Sequence, residues 1–302
     1  MAKKLLITGA SGFLGWYLSQ QSHCDSSLQP DGWQVYGTYH RHAVEIPGVT
    51  LSPIDLLDAT AVRALLDAIQ PDAVIHTAAL SSPNACQLDP DLSYRLNVVA
   101  TCQLAEYCAD RAIPLVFTSS EQVFDGKQPP YRETDPVNPI NRYGEHKALA
   151  ETEIRSRYPA ATICRMPLMF GAAPTADSFL QPWIRTWRSG QAISLFTDEI
   201  RNPVHGADAA QGLLLALAQS LTSTAAPILH LGGVEPISRY DFGQLLIEIL
   251  QLPGCITACR QAEVSMAAPR PLNVCLNSDL AFRLGYAPMG IRAALMELKP
   301  LL

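Results

Sequence analysis

The feature that most restricts how this chain can fold lies in its first fifteen residues. A short apolar run at residues 4–8 passes directly into Gly9-Ala10-Ser11-Gly12-Phe13-Leu14-Gly15, and helical periodicity begins at Phe13. Glycines at these spacings suit a tight turn, a close backbone approach by a pyrophosphate, and a helix packed hard against the preceding strand. The helix that follows aims unpaired N–H groups and its positive dipole end at the turn. Such spacings also arise by chance, so position carries the weight: the turn joins a first strand to a first helix. A structural turn with no ligand is the alternative.

The next 150 or so residues fit a sheet built around that turn. Apolar runs at 33–39, 73–76, 115–118 and 161–165 read as buried parallel strands, like 4–8 before them. Between them, residues 13–21, 59–69, 92–111 and 143–158 carry helical periodicity. This alternation predicts an α/β fold, a Rossmann-type doubly wound parallel sheet, over residues 1–170. Residues 171–302 are expected to form a smaller C-terminal α/β substrate lobe. There 179–189, 207–218 and 238–250 look helical, with Ser238 as a cap, and 228–231 looks like a strand returning to the main sheet.

Composition narrows the function classes. Of 302 residues, 48% are hydrophobic and 17% charged, which supports a sizeable core and excludes disorder. A net charge of −6, with no Lys/Arg block, argues against nucleic acid as the main partner. No apolar stretch approaches 18 residues, so no membrane span is expected. The start, MAKKLLITGA, superficially resembles a signal peptide, but the glycine turn straight after it favours a buried strand. Eight cysteines, at 24, 86, 102, 108, 164, 255, 259 and 275, lack zinc-ribbon spacing. They read as buried thiols of a reducing, cytoplasmic compartment, and no metal is expected.

Cofactor choice is read at the end of the second strand, where a carboxylate would bond the ribose of NAD. The sequence there is Gly37-Thr38-Tyr39-His40-Arg41, with no carboxylate. Arg41, helped by His40, suits a 2′-phosphate, so NADP(H) is expected over NAD(H). A solvated loop arginine is the alternative.

Tyr143 and Lys147 lie four residues apart on an expected helix and share one face. A free phenol titrates near pH 10, and a neighbouring ammonium lowers that value by stabilising phenolate. Such a tyrosine donates a proton to a carbonyl oxygen while hydride arrives at carbon. On its own, the pair also fits an ordinary amphipathic helix.

Taken with the glycine turn, the pair resembles the extended short-chain dehydrogenase/reductases. Asp55-Leu56 looks like that family's adenine contact, and His76-Thr77-Ala78-Ala79 resembles its segment beside the cofactor, with His in place of Asn. Asn97-Val98-Val99-Ala100-Thr101 is similar to its helix motif whose Asn supports the active site. The blocks Ser119-Ser120-Glu121-Gln122-Val123-Phe124-Asp125-Gly126 and Pro139-Ile140-Asn141-Arg142-Tyr143-Gly144 look most like the dTDP-4-dehydrorhamnose reductase branch.

That resemblance implies an NADPH-dependent reductase of a nucleotide-linked 4-keto sugar, with Ser120, Tyr143 and Lys147 as its catalytic residues. Gly9, Ser11, Gly12, Phe13, Leu14, Gly15, His40, Arg41, Asp55, Leu56, Ala78, Ala79 and Asn97 would hold the cofactor with Tyr143 and Lys147. Ser120, Glu121, Arg201 and Arg270 would face the substrate, the last from an Arg-Pro-x-Asn run. Gln122 replaces the base of the dehydratases, which disfavours water elimination because an amide takes no proton from carbon. Two other readings stay open. One is a non-catalytic NADP-binding subunit resembling the methionine adenosyltransferase β subunit, and the other is a nucleotide-sugar epimerase. The assembly is open too, with a homodimer as one expectation.

Overall fold

The computed structural model describes residues 2–24, 32–222 and 226–302. Its central sheet has seven strands: β1 (Lys3–Thr8), β2 (Trp33–Tyr39), β3 (Val49–Pro53), β4 (Ala73–His76), β5 (Leu115–Ser120), β6 (Thr162–Met166) and the short strand Ile228–His230. Across the sheet the order is Ile228–His230, β6, β5, β4, β1, β2, β3. Every neighbouring pair is parallel. The chain therefore winds outward in both directions from β1 and β4. Ligands of such sheets bind where that reversal opens a crevice at the strands' C-terminal ends.

Parallel strands covered by helices on both faces need apolar side chains on both. Leu5 and Ile7 of β1 join one core with Leu14, Tyr17 and Leu18 of the first helix, α1 (Phe13–Cys24), and with Ala210, Leu213 and Leu217 of the helix Gly206–Thr222. Leu6 points the other way, into a core shared with Leu66, Leu104, Tyr107 and Ile154. β3 is not among the apolar runs, because its edge position leaves Val49–Pro53 only half-buried.

The expected single helix over 92–111 is three pieces. Asp89 caps Pro90–Tyr94, accepting from the N–H of Leu92 at 3.0 Å. A π-helical turn, Arg95–Val99, then leads into Ala100–Asp110. Such π insertions re-aim the side chains they carry, here Asn97, and are common at functional sites.

In the C-terminal part, Ile228–His230 does return to the main sheet beside β6. The helices Leu180–Arg188, Arg239–Leu250 and Ile291–Leu298 surround a separate core containing Trp187, Phe242, Leu246 and Leu295. Ser238 caps its helix as expected, accepting from the N–H of Asp241 at 3.0 Å. One expectation needs correcting: the described cysteines are not all buried. Cys255 is exposed and Cys259 half-buried, because both sit on a strand paired only with Ala192–Phe196. The side chain of Cys24 lies outside the described residues.

A buried ion pair ties β6 to the helix Arg142–Arg157. Arg165 reaches Glu151 with two donors, Nε at 3.0 Å and Nη2 at 2.8 Å, and Ser119 Oγ donates to the same carboxylate at 2.5 Å. Removing one partner strands a charge in the core. Arg165→Met is expected to cost about 3–5 kcal/mol in chemical denaturation. A loss below about 1 kcal/mol would show that the pair does not anchor the sheet.

Candidate active site

The crevice predicted by the strand order is a cleft of about 370 Å³. One end is the glycine turn. Its geometry is fixed by hydrogen bonds to β2: the N–H of Ala10 donates to the Thr38 carbonyl at 2.8 Å, and that of Gly9 to Thr38 Oγ1 at 3.2 Å. A Cβ at Gly15 would stand 2.1 Å from the Gly9 carbonyl oxygen, so only glycine lets α1 start this close to the turn. The backbone is thus left bare toward the cleft, as a dinucleotide's diphosphate requires.

The other end is built by the helix Arg142–Arg157 and the end of β5. Asn141 caps the helix, its Oδ1 accepting from the N–H of Gly144 at 2.9 Å. A Cβ on Gly144 would fall 2.0 Å from the Gln122 carbonyl oxygen. Glycine there allows the helix to press against the turn Glu121–Val123, and this approach sets Tyr143 beside Ser120. Gln122 spends its side chain on the same junction, accepting from Asn141 Nδ2 at 2.9 Å.

Tyr143, Ser120 and Lys147 all line the cleft. Burial holds the Tyr143 phenol above its usual value, while a hydrogen bond with Ser120 pulls it partly back. Lys147 is only 2% exposed; its Nζ donates to the Thr118 carbonyl at 2.7 Å and lies 4.5 Å from the centre of the Phe117 ring. Burial pulls Lys147 down to about 7, against the opposing charge of Glu151 one turn along. The site therefore holds an acid that keeps its proton at rest beside an ammonium poised near neutrality.

Two buried residues outside the lining support it from behind. His76 bridges Thr8 Oγ1, at 2.6 Å from Nδ1, and Thr101 Oγ1, at 3.0 Å from Nε2. Desolvation, with the Lys147 charge, pushes it down to about 3, so it is neutral packing that ties β4 to β1 and to the helix Ala100–Asp110. Asn97 accepts from the N–H of Leu80 and donates to its carbonyl, each at 3.0 Å. It shapes the loop whose Ala78, Ala79 and Ser81 face the cleft.

Of the residues expected from sequence, Gly9, Ser11, Gly12, Phe13, Leu14, Gly15, His40, Leu56, Ala78 and Ala79 line the cleft with the three catalytic candidates. Arg41 is exposed beside His40 but outside the lining. Asp55 is also exposed and closes a local turn, accepting from the N–H of Leu57 at 2.9 Å. Ile54 and Leu56 supply the wall instead.

Glu121 and Arg201 are not brought to the cleft as free groups. They pair with each other in the interior, Arg201 Nε to Glu121 Oε1 at 3.0 Å, at 3% and 5% side-chain exposure. Arg201 also donates to the carbonyls of Ile200, Pro271 and Leu272. Burial raises Glu121 to about 7 against the pull of Arg201 and the Leu168 N–H. Arg270 donates to Asn84 Oδ1 at 3.3 Å and stands outside the cleft lining.

Thr38, Thr77, Met166, Pro167 and Met169 line the cleft without having been singled out. Each lies at or just past the C-terminal end of a parallel strand. That common position was the signal available for finding them.

Comparisons with known proteins bear on the family and the fold. A family model described as RmlD substrate binding domain matches residues 3–298. A protein of Haloferax volcanii named "Probable low-salt glycan biosynthesis reductase" is 30% identical over 276 residues, covering 90% of this chain and 88% of its own. Methionine adenosyltransferase 2 subunit beta of Xenopus laevis is 29% identical over 304 residues, covering 97% and 87%. Among solved structures, the dTDP-4-dehydrorhamnose reductase of Bacillus anthracis in complex with NADP shares the fold. Its TM-score is 0.85 at 22% identity, with all of both chains covered.

The burial of Lys147 has a consequence for stability. The unfolded chain keeps its lysine proton to about pH 10, whereas the folded chain releases it near 7. The charged form therefore weighs against folding most below pH 7, and this cost fades as pH rises toward 10. Lys147→Met is expected to raise Tm by a few degrees at about pH 6.5, with the gain shrinking toward about pH 10. A lower Tm at both pH values would mean that the ammonium is a net stabiliser.

Proposed function

The chain belongs to the RmlD substrate-binding domain family of extended short-chain dehydrogenases/reductases, and from that premise we propose that it is an NADPH-dependent reductase of a nucleotide-linked 4-keto sugar. The observation that carries the reading is convergence. Ser120, Tyr143 and Lys147 meet at one end of a cleft whose other end is a bare glycine turn on a helix N-terminus. Residues 1–170 would hold the dinucleotide and 171–302 the sugar nucleotide.

When bound, the reduced nicotinamide supplies hydride to the carbonyl carbon. The protein's part is protonic and positional. Tyr143 Oη gives its proton to the carbonyl oxygen, and Ser120 Oγ hydrogen-bonds that same oxygen and fixes its direction. The high resting pKa of the phenol keeps the proton in place until negative charge develops on the substrate. Lys147, steered by the Thr118 carbonyl, stabilises the phenolate left behind and offers its remaining N–H groups to the nicotinamide ribose. The neutral, hydrogen-bonded His76 behind the site adds no competing charge. His40 and Arg41, at the end of β2 where no carboxylate stands, favour a 2′-phosphate and hence NADP(H) over NAD(H).

A second reading is supported by the likeness to the methionine adenosyltransferase subunit across nearly the whole chain. It makes the cleft a cofactor-binding regulatory site rather than a catalytic one. The complete Ser-Tyr-Lys set favours catalysis, because binding alone needs no proton donor aimed into the cleft.

Replacing the phenol separates the readings. Tyr143→Phe is expected to cut NADPH consumption with nucleotide 4-keto sugars by about 100-fold or more while leaving NADPH affinity within about threefold. Turnover close to the unaltered protein's would remove Tyr143 as proton donor. NADPH binding with no turnover by the unaltered protein would favour the regulatory reading.

A further inference from the structure

The turn that follows Ser120 and the helix that carries Tyr143 meet at one buried amide, the side chain of Asn141. This residue is 2% exposed and stands just before the helix Arg142–Arg157. Its Oδ1 accepts from the N–H of Gly144 at 2.9 Å, which is ordinary helix capping. Its Nδ2 makes contacts that capping does not need. It donates to Gln122 Oε1 at 2.9 Å and to the Pro269 carbonyl at 3.0 Å.

Residue identity separates the two roles. Serine or aspartate caps a helix about as well as asparagine does. Neither brings N–H donors to two further oxygens from the same position. Aspartate would set a buried carboxylate against both of them. Asparagine is the capping residue that can also act as a clasp.

Each clasped partner leads to another piece of the site. Gln122 donates its backbone N–H to Ser120 Oγ at 3.2 Å, so that hydroxyl accepts there and keeps its own proton to offer a reacting oxygen. Pro269 lies in an irregular segment, residues 264–272, of the part proposed to hold the sugar nucleotide. Asn84 holds the same segment, accepting at Oδ1 from the N–H of Ala268 and from Arg270 Nη2, each at 3.3 Å. Arg201 holds the carbonyls of Pro271 and Leu272. One amide thus joins the Ser120 turn, the Tyr143 helix and a segment from the C-terminal part of the chain. Two hydroxyls that must converge on one oxygen need this kind of support, because a misplacement of about 1 Å can cost about 100-fold in rate.

We propose that Asn141 is a positioning residue for the reaction: beyond capping its helix, its amide holds Ser120 and Tyr143 in register with the segment 264–272, through Gln122 and Pro269. The assignment deepens the reductase reading and rests on it for the reaction that is served.

The test separates clasp from cap by comparing Asn141→Ala, which removes both, with Asn141→Ser, which keeps the cap. Asn141→Ala is expected to lower Tm by a few degrees, and Asn141→Ser to restore it. Turnover behaves differently: kcat stays about tenfold down in both variants, with NADPH affinity within about twofold of the unaltered protein's. A kcat for Asn141→Ser within about threefold of the unaltered value would overturn the proposal, since capping alone would then suffice. Gln122→Met leaves the cap intact and removes only one acceptor, so it serves if the Asn141 variants fold poorly. It is expected to lower kcat about fivefold, and full turnover there would equally overturn the assignment. Amide hydrogen exchange followed by NMR gives a readout independent of the reaction. The Gln122 N–H is expected to exchange about tenfold faster in Asn141→Ser than in the unaltered protein, and an unchanged rate would overturn the clasp. No NADPH oxidation by the unaltered protein with any 4-keto sugar would end the reductase reading and leave the exchange measurement to decide whether Asn141 holds the Ser120 turn.

Discussion

A single ammonium sets the terms for the rest of the site. Lys147 sits in the interior with one carbonyl, one aromatic face and one distant carboxylate for company. A charge so placed is costly, and the fold tolerates it by surrounding it with fixed dipoles rather than with an ion-pair partner in contact. Glu151, the nearest opposite charge, is itself held by Arg165 and Ser119. Arg165 in turn reaches His230 on the last strand of the sheet, 3.2 Å away. The lysine's protonation is therefore supported by a chain of contacts that runs from the helix Arg142–Arg157 through β5 and β6 to Ile228–His230.

The same economy explains why the cleft has two chemically different ends. One end is backbone: a glycine turn held by hydrogen bonds from the Gly9 and Ala10 N–H groups to Thr38 and from that of Gly12 to the Gly9 carbonyl. The reacting end is side chain, three residues from two elements drawn together where Gly144 lets a helix touch a turn. Outside the lining lies a group of buried charges. There the two buried arginines divide the labour, one closing the interior against Glu121 and one resting on aromatic rings with its donors unspent.

Much of this was legible before any coordinates. The order of apolar runs and helical stretches, read with the glycine turn, gave the parallel doubly wound sheet and its returning strand. The i, i+4 spacing of Tyr143 and Lys147 gave the shared helix face. What stayed hidden has physical causes. β3 is an edge strand with no apolar run, so periodicity could not reveal it. The π turn at Arg95–Val99 leaves the helical pattern almost unchanged while re-aiming Asn97. Arg201 looked like a ligand-gripping residue because sequence cannot show that a buried glutamate and three carbonyls consume its donors. Arg239 is the converse case: the rings that hold its guanidinium lie sixty and fifty-six residues earlier in the chain, a juxtaposition that only tertiary structure creates.

The central claim is that one dinucleotide lies along this cleft with its reactive end under Tyr143. The most direct test is a crystal structure of the protein with NADP⁺ bound. The account predicts the diphosphate on the turn Gly9–Gly15, adenosine against Ile54 and Leu56, and the 2′-phosphate beside Arg41. It also predicts nicotinamide-ribose oxygens within about 3.5 Å of Lys147 Nζ. A nucleotide seated elsewhere, or one whose nicotinamide ribose makes no contact with Lys147, would contradict it.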